Sequence, residues 1–273
     1  MKDLQIAFVG AGNMACSIIG GLIEGGLAPG NITACARTEE SLQKTAQKFQ
    51  VNTELDALKA VEDADVVVLA VKPQILKEVA LAIAPALTQR TLIISVAAGI
   101  TTDSMAKWLG QELAIVRSMP NTPSLLQLGA SGAFANDNCS VEQRQIGNGI
   151  LAAVGIVEWV DSEVLLNPVT AVSGSGPAYY FLMMEAMIDA GVAMGLDRDS
   201  ASKLTIQTAL GAAKLAQTAD VDVAELRRRV TSPAGTTEQA INSFENDDIR
   251  TIFSRAMNAA SNRGAELAKI LGK

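Results

Sequence analysis

Short apolar runs alternate with helix-patterned stretches as far as Asp161, and no other feature narrows the possible folds as much. The runs are residues 5–9, 32–36, 66–70, 92–96, 114–118, 130–135 and 156–159. Between them, 14–24, 39–49, 73–86 and 102–109 repeat apolar residues at helical spacing. Strands that are apolar on nearly every residue must be covered on both faces, which a parallel sheet between two helical layers achieves. The expected architecture over 1–161 is therefore α/β, a doubly wound parallel sheet. After Asp161 the strand signals stop. Residues 162–273 read as helices alone, interrupted at Ser173-Gly174-Ser175-Gly176-Pro177 and at Ser232-Pro233, so an all-α second domain is expected there. Within it, 178–196 is apolar almost all the way round and needs cover on every side. So small a helical domain cannot supply that cover, and a second copy of the chain is expected to do so.

Composition removes several classes of function. Among 273 residues there is no histidine. A Ser-His-Asp hydrolase, a His-ligated metal centre and a dehydrogenase with a histidine acid are thereby excluded. A net charge of -7 argues against nucleic acid as a partner, which selects a basic stripe. No membrane partner is expected either. The apolar run at 4–9 is too short to target or span a bilayer, and Glu185 and Asp189 interrupt the longest one, where lipid would penalise them. Cys16, Cys35 and Cys139 show no metal-ligand spacing, and an odd number frames no disulfide set. The reducing cytoplasm is the expected location.

The first apolar run leads into Gly10-Ala11-Gly12-Asn13-Met14-Ala15, a strand, a glycine turn and a helix start. Gly10 can adopt the turn, Gly12 lets backbone approach a pyrophosphate, and Ala15 is small enough for close helix–strand packing. The unpaired N–H groups of the helix start would face the phosphates. Such a turn is weak alone; on the first strand of an alternating α/β pattern it reads as a Rossmann-like dinucleotide fingerprint. The second strand ends in Arg37-Thr38, where an NAD site usually carries Asp or Glu. A cation there can pair with a 2′-phosphate, which favours NADPH, with NADH as the alternative if Arg37 is only a solvated surface residue. Ala70-Val71-Lys72-Pro73 and Ala97-Ala98-Gly99 follow the next two strands, where such a sheet presents its ligand crevice.

Three further segments combine small residues with Ser, Thr, Asn and Pro: Met119-Pro120-Asn121-Thr122-Pro123, Ser173-Gly174-Ser175-Gly176-Pro177, and Thr231-Ser232-Pro233-Ala234-Gly235-Thr236-Thr237. Each alone reads as a turn or cap. In this order, with the glycine fingerprint, they resemble pyrroline-5-carboxylate reductase over essentially the whole chain. The resemblance implies reduction of Δ1-pyrroline-5-carboxylate to L-proline by NAD(P)H. It also implies a helical domain that interlocks with its twin in a homodimer, and rings of dimers in some members.

Substrate contacts are then expected at Met119, Asn121, Ser173, Gly174, Ser175, Gly176, Ser232, Gly235, Thr236 and Thr237. Free N–H groups at Gly235, Thr236 and Thr237, on a helix N-terminus, suit the substrate carboxylate. By the resemblance, Thr237 lies near the ring nitrogen. A protonated C=N is already a good hydride acceptor, so positioning and exclusion of water suffice, and a histidine-free chain can perform the reaction. Two departures stand out. Ala234 replaces the family's usual glycine, so its backbone is expected to avoid positive φ. Arg227-Arg228-Arg229 stands where an acidic or amide residue is usual, and reads as a solvated basic turn. Two rival readings are a β-hydroxyacid dehydrogenase using Lys203 or Lys214 as proton donor, and a redox sensor that holds NADPH without turnover.

Overall fold

The computed structural model describes residues 3–110 and 112–272. Its elements run β1 (Ile6–Val9), α1 (Asn13–Glu24), β2 (Ile32–Cys35), α2 (Glu39–Phe49), β3 (Asn52–Glu54), α3 (Ala57–Val61), β4 (Val66–Leu69), α4 (Pro73–Ile83), β5 (Leu92–Ser95), α5 (Thr102–Leu109), β6 (Ala114–Met119), β7 (Gly129–Ala135), α6 (Val141–Ala152) and β8 (Gly155–Trp159). They form one eight-stranded sheet of order β3-β2-β1-β4-β5-β6-β7-β8. The chain winds outward from β1 to β3 and returns to the other side at β4, so the order reverses between β1 and β4. Ligand crevices of doubly wound sheets open at that point.

The apolar strands are buried on both faces, as their composition requires. Ile6, Phe8, Val66, Val68 and Ile94 pack with Ile18, Ile19 and Leu22 of α1 and Ile150 and Leu151 of α6. Ala7, Val67, Leu69 and Ile93 pack on the opposite side with Leu76 and Ile83 of α4 and Met105 of α5. Each such aliphatic side chain contributes about 1.5–3 kcal/mol, so these two layers hold the sheet rigidly beneath its loops.

Four details depart from expectation. The sheet is not parallel throughout: β7 runs antiparallel to β6, and β8 follows β7 in parallel. The link 120–128 holds only a short 3₁₀ turn, Thr122–Leu126, too short for the crossover that a parallel neighbour needs. Edge strand β3 was not anticipated because Asn52 and Thr53 are exposed and the strand carries no apolar pattern. Helix α6 was also missed, although Ser140 and Gln143 form a complete capping box at its start. Its apolar residues are simply sparse. Helix α3 is too short to show a period.

Beyond β8 the described residues form only helical elements: a 3₁₀ turn at Glu163–Leu165, α7 (Leu166–Val169), a π-helical turn at Thr170–Gly174, α8 (Gly176–Ala193), α9 (Arg198–Thr218), α10 (Val223–Arg229), α11 (Thr236–Asn246) and α12 (Ile249–Leu271). Compact packing groups the chain into two units, and the last turns of α12 fall with the first. One unit is Met1–Ser175 with Asn258–Lys273, the other Gly176–Met257. The reason lies at the end of α12, where Leu267 and Leu271 cover Gly99 and the Ser104 hydroxyl donates to the Gly272 carbonyl at 3.0 Å.

Helix α8 ends at Ala193, short of the expected Leu196. Gly195, at φ +105, turns the chain, and the Leu196 N–H reaches back to the Gly191 carbonyl at 3.1 Å. Only Gly176 and Gly191 of this helix are buried within the chain, while Tyr180, Phe181, Leu182, Met183 and Met187 are exposed. Within the same unit an apolar groove of about 930 Å³ lies between α8, α11 and α12, lined by Met183, Met187, Ile241, Phe244 and Phe253.

Candidate functional site

The glycine turn sits where the sheet reverses order. Gly10 has φ +106, donates its N–H to the Cys35 carbonyl at 2.9 Å, and lies against the exit of β4. A Cβ added there would be 2.6 Å from the Ala70 carbonyl oxygen. A Cβ on Gly12, by contrast, would meet nothing within 4 Å. Gly12 is the N-cap of α1 and supplies no side-chain cap, so the N–H groups of Asn13, Met14 and Ala15 have no acceptor among the described residues. That is an open cradle of N–H groups at a helix start, the arrangement that holds a phosphate.

Around this cradle the expected residues fall at the ends of β2, β4 and β5. Arg37 is exposed and makes no ion pair among the described residues, so its guanidinium is available to an anion. Thr38 caps α2 by accepting from the Ser41 N–H at 3.4 Å, and its hydroxyl proton remains to be donated. Between them and β1, the Cys35 thiol is pushed up to about 11 by burial and then by the Glu54 and Asp56 carboxylates. Val71 and Pro73 are half-buried, and Lys72 is exposed at the N-cap of α4. Ala98 is exposed, whereas Ala97 and Gly99 are buried, Gly99 at φ +75 beneath Leu267 and Leu271. The glycine cradle and the free cation fit a dinucleotide with an additional phosphate.

The segment after β6 is fixed by its own side chains. Buried Asn121 donates to the Ser173 carbonyl at 3.1 Å and accepts from the Ala130 N–H at 2.9 Å. Its amide thus joins three stretches of backbone: its own, the π-helical turn and β7. Met119 is close enough to Gly174 that a Cβ there would lie 2.6 Å from its terminal methyl. The structure therefore brings Met119, Asn121, Ser173 and Gly174 together. Ser173 to Ser175 lie in or next to the π-helical turn, and the Ser175 N–H is donated to the Thr170 carbonyl at 2.8 Å. Such single π turns recur where helices are re-aimed at functional sites.

The loop 231–237 belongs to the other unit, with its own geometry. Two expectations about it are corrected. Ala234 does adopt positive φ, at +58. The left-handed region costs a non-glycine residue about 1–2 kcal/mol, and the Ala234 N–H is held there by the Glu238 carboxylate at 2.8 Å. Secondly, the Gly235 N–H is not free, because it is donated to the Ser232 carbonyl at 3.0 Å. Among the described residues the N–H groups of Thr236 and Thr237 do lack acceptors, and both side chains are exposed at the start of α11.

The arginine run is likewise not a free basic turn. Arg227 pairs with Glu245 at 3.0 Å, Arg229 with Glu225 at 2.9 Å, and Arg228 also with Glu225. Arg250 also pairs with Glu245, at 2.8 Å on the oxygen that Arg227 uses, and holds its carboxyl below the usual range. Lys203 and Lys214, the donors required by the hydroxyacid reading, sit on α9 bonded to Asp199 and Gln217.

One cluster escaped sequence reasoning. Arg117 is the single charged residue of β6, nine-tenths buried, and pairs with Glu163 at 2.9 Å. Glu163 also accepts the Thr102 N–H at 2.8 Å and its hydroxyl at 3.0 Å. A lone arginine in an otherwise apolar strand was the available signal; its partner, 46 residues on, was not legible.

Comparison with known proteins matches both halves. Residues 163–267 match the family model for pyrroline-5-carboxylate reductase dimerisation, and residues 5–99 that for NADP oxidoreductase, coenzyme F420-dependent. The pyrroline-5-carboxylate reductase of Pseudomonas aeruginosa is 53% identical over 273 residues, 100% of both chains. Among solved structures, a pyrroline-5-carboxylate reductase from Coxiella burnetii has 45% identity and a TM-score of 0.94, over 97% of this chain and 99% of that one. The Plasmodium falciparum pyrroline carboxylate reductase with NADP bound has 28% identity and a TM-score of 0.86, over 98% and 99%. With the full length aligned at this identity, the chain belongs to the pyrroline-5-carboxylate reductase family.

Proposed function

We propose that this chain reduces Δ1-pyrroline-5-carboxylate to L-proline with a hydride from NAD(P)H, the final step of proline biosynthesis. The observation that carries this reading is the likeness across both halves at once, at 53% identity from end to end. When bound, NAD(P)H supplies the hydride; the protein holds the two reactants and excludes water.

The cofactor's phosphates are assigned to the Gly10, Ala11, Gly12, Asn13 and Met14 turn, whose unpaired N–H groups support that role. Arg37 and Thr38 take the 2′-phosphate, so NADPH is the preferred cofactor and NADH the weaker one. Ala70 to Pro73 and Ala97 to Gly99 line the remainder. The substrate is assigned to Met119, Asn121, Ser173, Gly174, Ser175 and Gly176, together with Ser232, Gly235, Thr236 and Thr237. The unpaired N–H groups of Thr236 and Thr237 support a carboxylate there. The Thr237 hydroxyl orients the ring nitrogen and so selects the face offered to the hydride.

The working division is a dinucleotide domain at 1–161 and a substrate and dimerisation domain at 162–273. Exposed apolar faces on α8 and the dimerisation-family match support a homodimer, and we extend this to a ring of dimers. A cytoplasmic location is supported by three free thiols, Cys16, Cys35 and Cys139. Among the described residues no helix is long and apolar enough to cross a membrane.

Loss of NADPH absorbance on adding pyrroline-5-carboxylate tests the reading, with a hydroxy acid and NADP⁺ as the second arm. Rapid oxidation in the first arm and none in the second is expected. No turnover in the first would overturn the proposal and leave a cofactor-holding sensor.

A further inference from the structure

Glu163 stands at the meeting point of three segments to which the proposed reading assigns different ligands. Its carboxylate accepts the Thr102 N–H and hydroxyl, at 2.8 and 3.0 Å, and the Arg117 guanidinium at 2.9 Å. Thr102 opens α5, which starts directly after the loop carrying Ala97, Ala98 and Gly99. Arg117 lies two residues before Met119, on the strand that ends in the Met119–Asn121 segment. Glu163 itself begins the 3₁₀ turn that leads through α7 to the π-helical turn and Ser173. One side chain therefore connects the cofactor-side loop, the substrate-side strand end and the approach to Ser173. The bond from Asn121 to the Ser173 carbonyl closes the loop of contacts.

The chemistry of the cluster suits a spacer. The Arg117 side chain is 9% exposed and the Glu163 side chain 20%, so their attraction is little screened. One guanidinium, one backbone N–H and one hydroxyl fix direction as well as distance: Oε1 accepts from Arg117 and the Thr102 N–H, and Oε2 from the Thr102 hydroxyl. The carboxylate also faces the positive end of α5, which adds to its hold. Neither residue belongs to the two apolar layers that flank the sheet.

Resting on the reductase reading above, we infer that Glu163 is a positioning residue for hydride transfer. It sets the separation between the Ala97–Gly99 loop and the Met119–Asn121 segment through Thr102 and Arg117. Hydride transfer is steeply sensitive to that separation, since about 1 Å of misplacement costs on the order of a hundredfold in rate. Binding of either ligand alone is not.

The test uses the full-length oligomer in Glu163→Gln and, separately, Thr102→Val, which keeps the backbone N–H and removes one donor. Steady-state kinetics with pyrroline-5-carboxylate, NADPH affinity by fluorescence, melting temperature and the isotope effect with 4-deuterated NADPH are measured on the same samples. Glu163→Gln is expected to lower kcat about ten- to a hundredfold, with NADPH affinity within about threefold of wild type. The isotope effect should rise as hydride transfer becomes rate-limiting. Thr102→Val should move the same quantities in the same direction by less, and serves as the deciding variant if Glu163→Gln does not fold. Folded variants with wild-type kcat and isotope effect overturn the inference, even if they melt earlier. A wild-type enzyme inactive on pyrroline-5-carboxylate overturns the reductase reading and the inference together, whereas an active wild type matched by its variants overturns the inference alone.

Discussion

A Cβ on Gly10 would lie 2.6 Å from the Ala70 carbonyl oxygen, whereas one on Gly12 would enter open space. The two glycines therefore fail differently when replaced by alanine. Gly10→Ala meets rigid backbone at φ +106 and should destabilise the fold by about 1–3 kcal/mol. Gly12→Ala should leave the melting temperature near wild type and weaken NADPH binding, because the methyl occupies the space that a phosphate needs. Melting curves with and without NADPH check both. An equal loss of stability in the two variants would contradict this division of roles.

Arg37 is exposed and unpaired among the described residues, so Arg37→Asp should act on the cofactor and not on the fold. Loss of one charge-assisted contact costs about 1.5–3 kcal/mol, roughly one to two decades in affinity. The ratio of kcat/KM for NADPH over NADH should fall by that amount. An unchanged ratio would place the 2′-phosphate elsewhere.

Thr237→Ala should lower kcat about tenfold to a thousandfold while NADPH affinity holds. Thr237→Ser keeps the hydroxyl and should recover much of the activity. The Thr237 N–H survives both changes, so KM should move less than kcat. Full turnover per folded molecule in Thr237→Ala would shift the role to Ser175.

The sheet was legible because each buried strand is a continuous apolar run, and its glycine turn because only glycine suits that approach. The direction of β7 was not legible from the strand itself; it follows from the shortness of the link before it. Edge strand β3 carries no pattern because its side chains face water. At the site, the cofactor loops follow from strand ends and need no long-range knowledge. The Arg117–Glu163–Thr102 cluster depends on residues far apart in sequence, and Ala234 shows the opposite limit. There a side-chain preference against positive φ gave way to a local bond that the Ala234 N–H donates to the Glu238 carboxylate. The arginine run misled in two ways: Glu225 pairs with Arg228 and Arg229 at helical i,i+3 and i,i+4 spacing, which was readable, whereas Glu245 reaches Arg227 from a helix that only the fold brings near.

Burial, then the carboxylates of Glu54 and Asp56, pushes the Cys35 thiol up to about 11. Below the ordinary thiol range both folded and unfolded chains are protonated, and the contribution is fully present. As pH rises through about 9 toward 11 the unfolded chain ionises first, so stability falls by up to roughly 1.4 kcal/mol per pH unit. Cys35→Ala should flatten that part of the profile, read by denaturant titration across alkaline pH. A profile with the same slope in the variant would assign the effect to other groups.

Helix α8 leaves Tyr180, Phe181, Leu182, Met183 and Met187 uncovered within one chain, beside an apolar groove of about 930 Å³. The consequence is one of mass action. If those surfaces are satisfied by a second copy, unfolding and dissociation are a single equilibrium, and the stability has no value independent of protein concentration. Each tenfold dilution then removes about 1.4 kcal/mol from a dimer. The enzyme's working life in a dilute solution is accordingly set by how much of it is present, not by its fold alone.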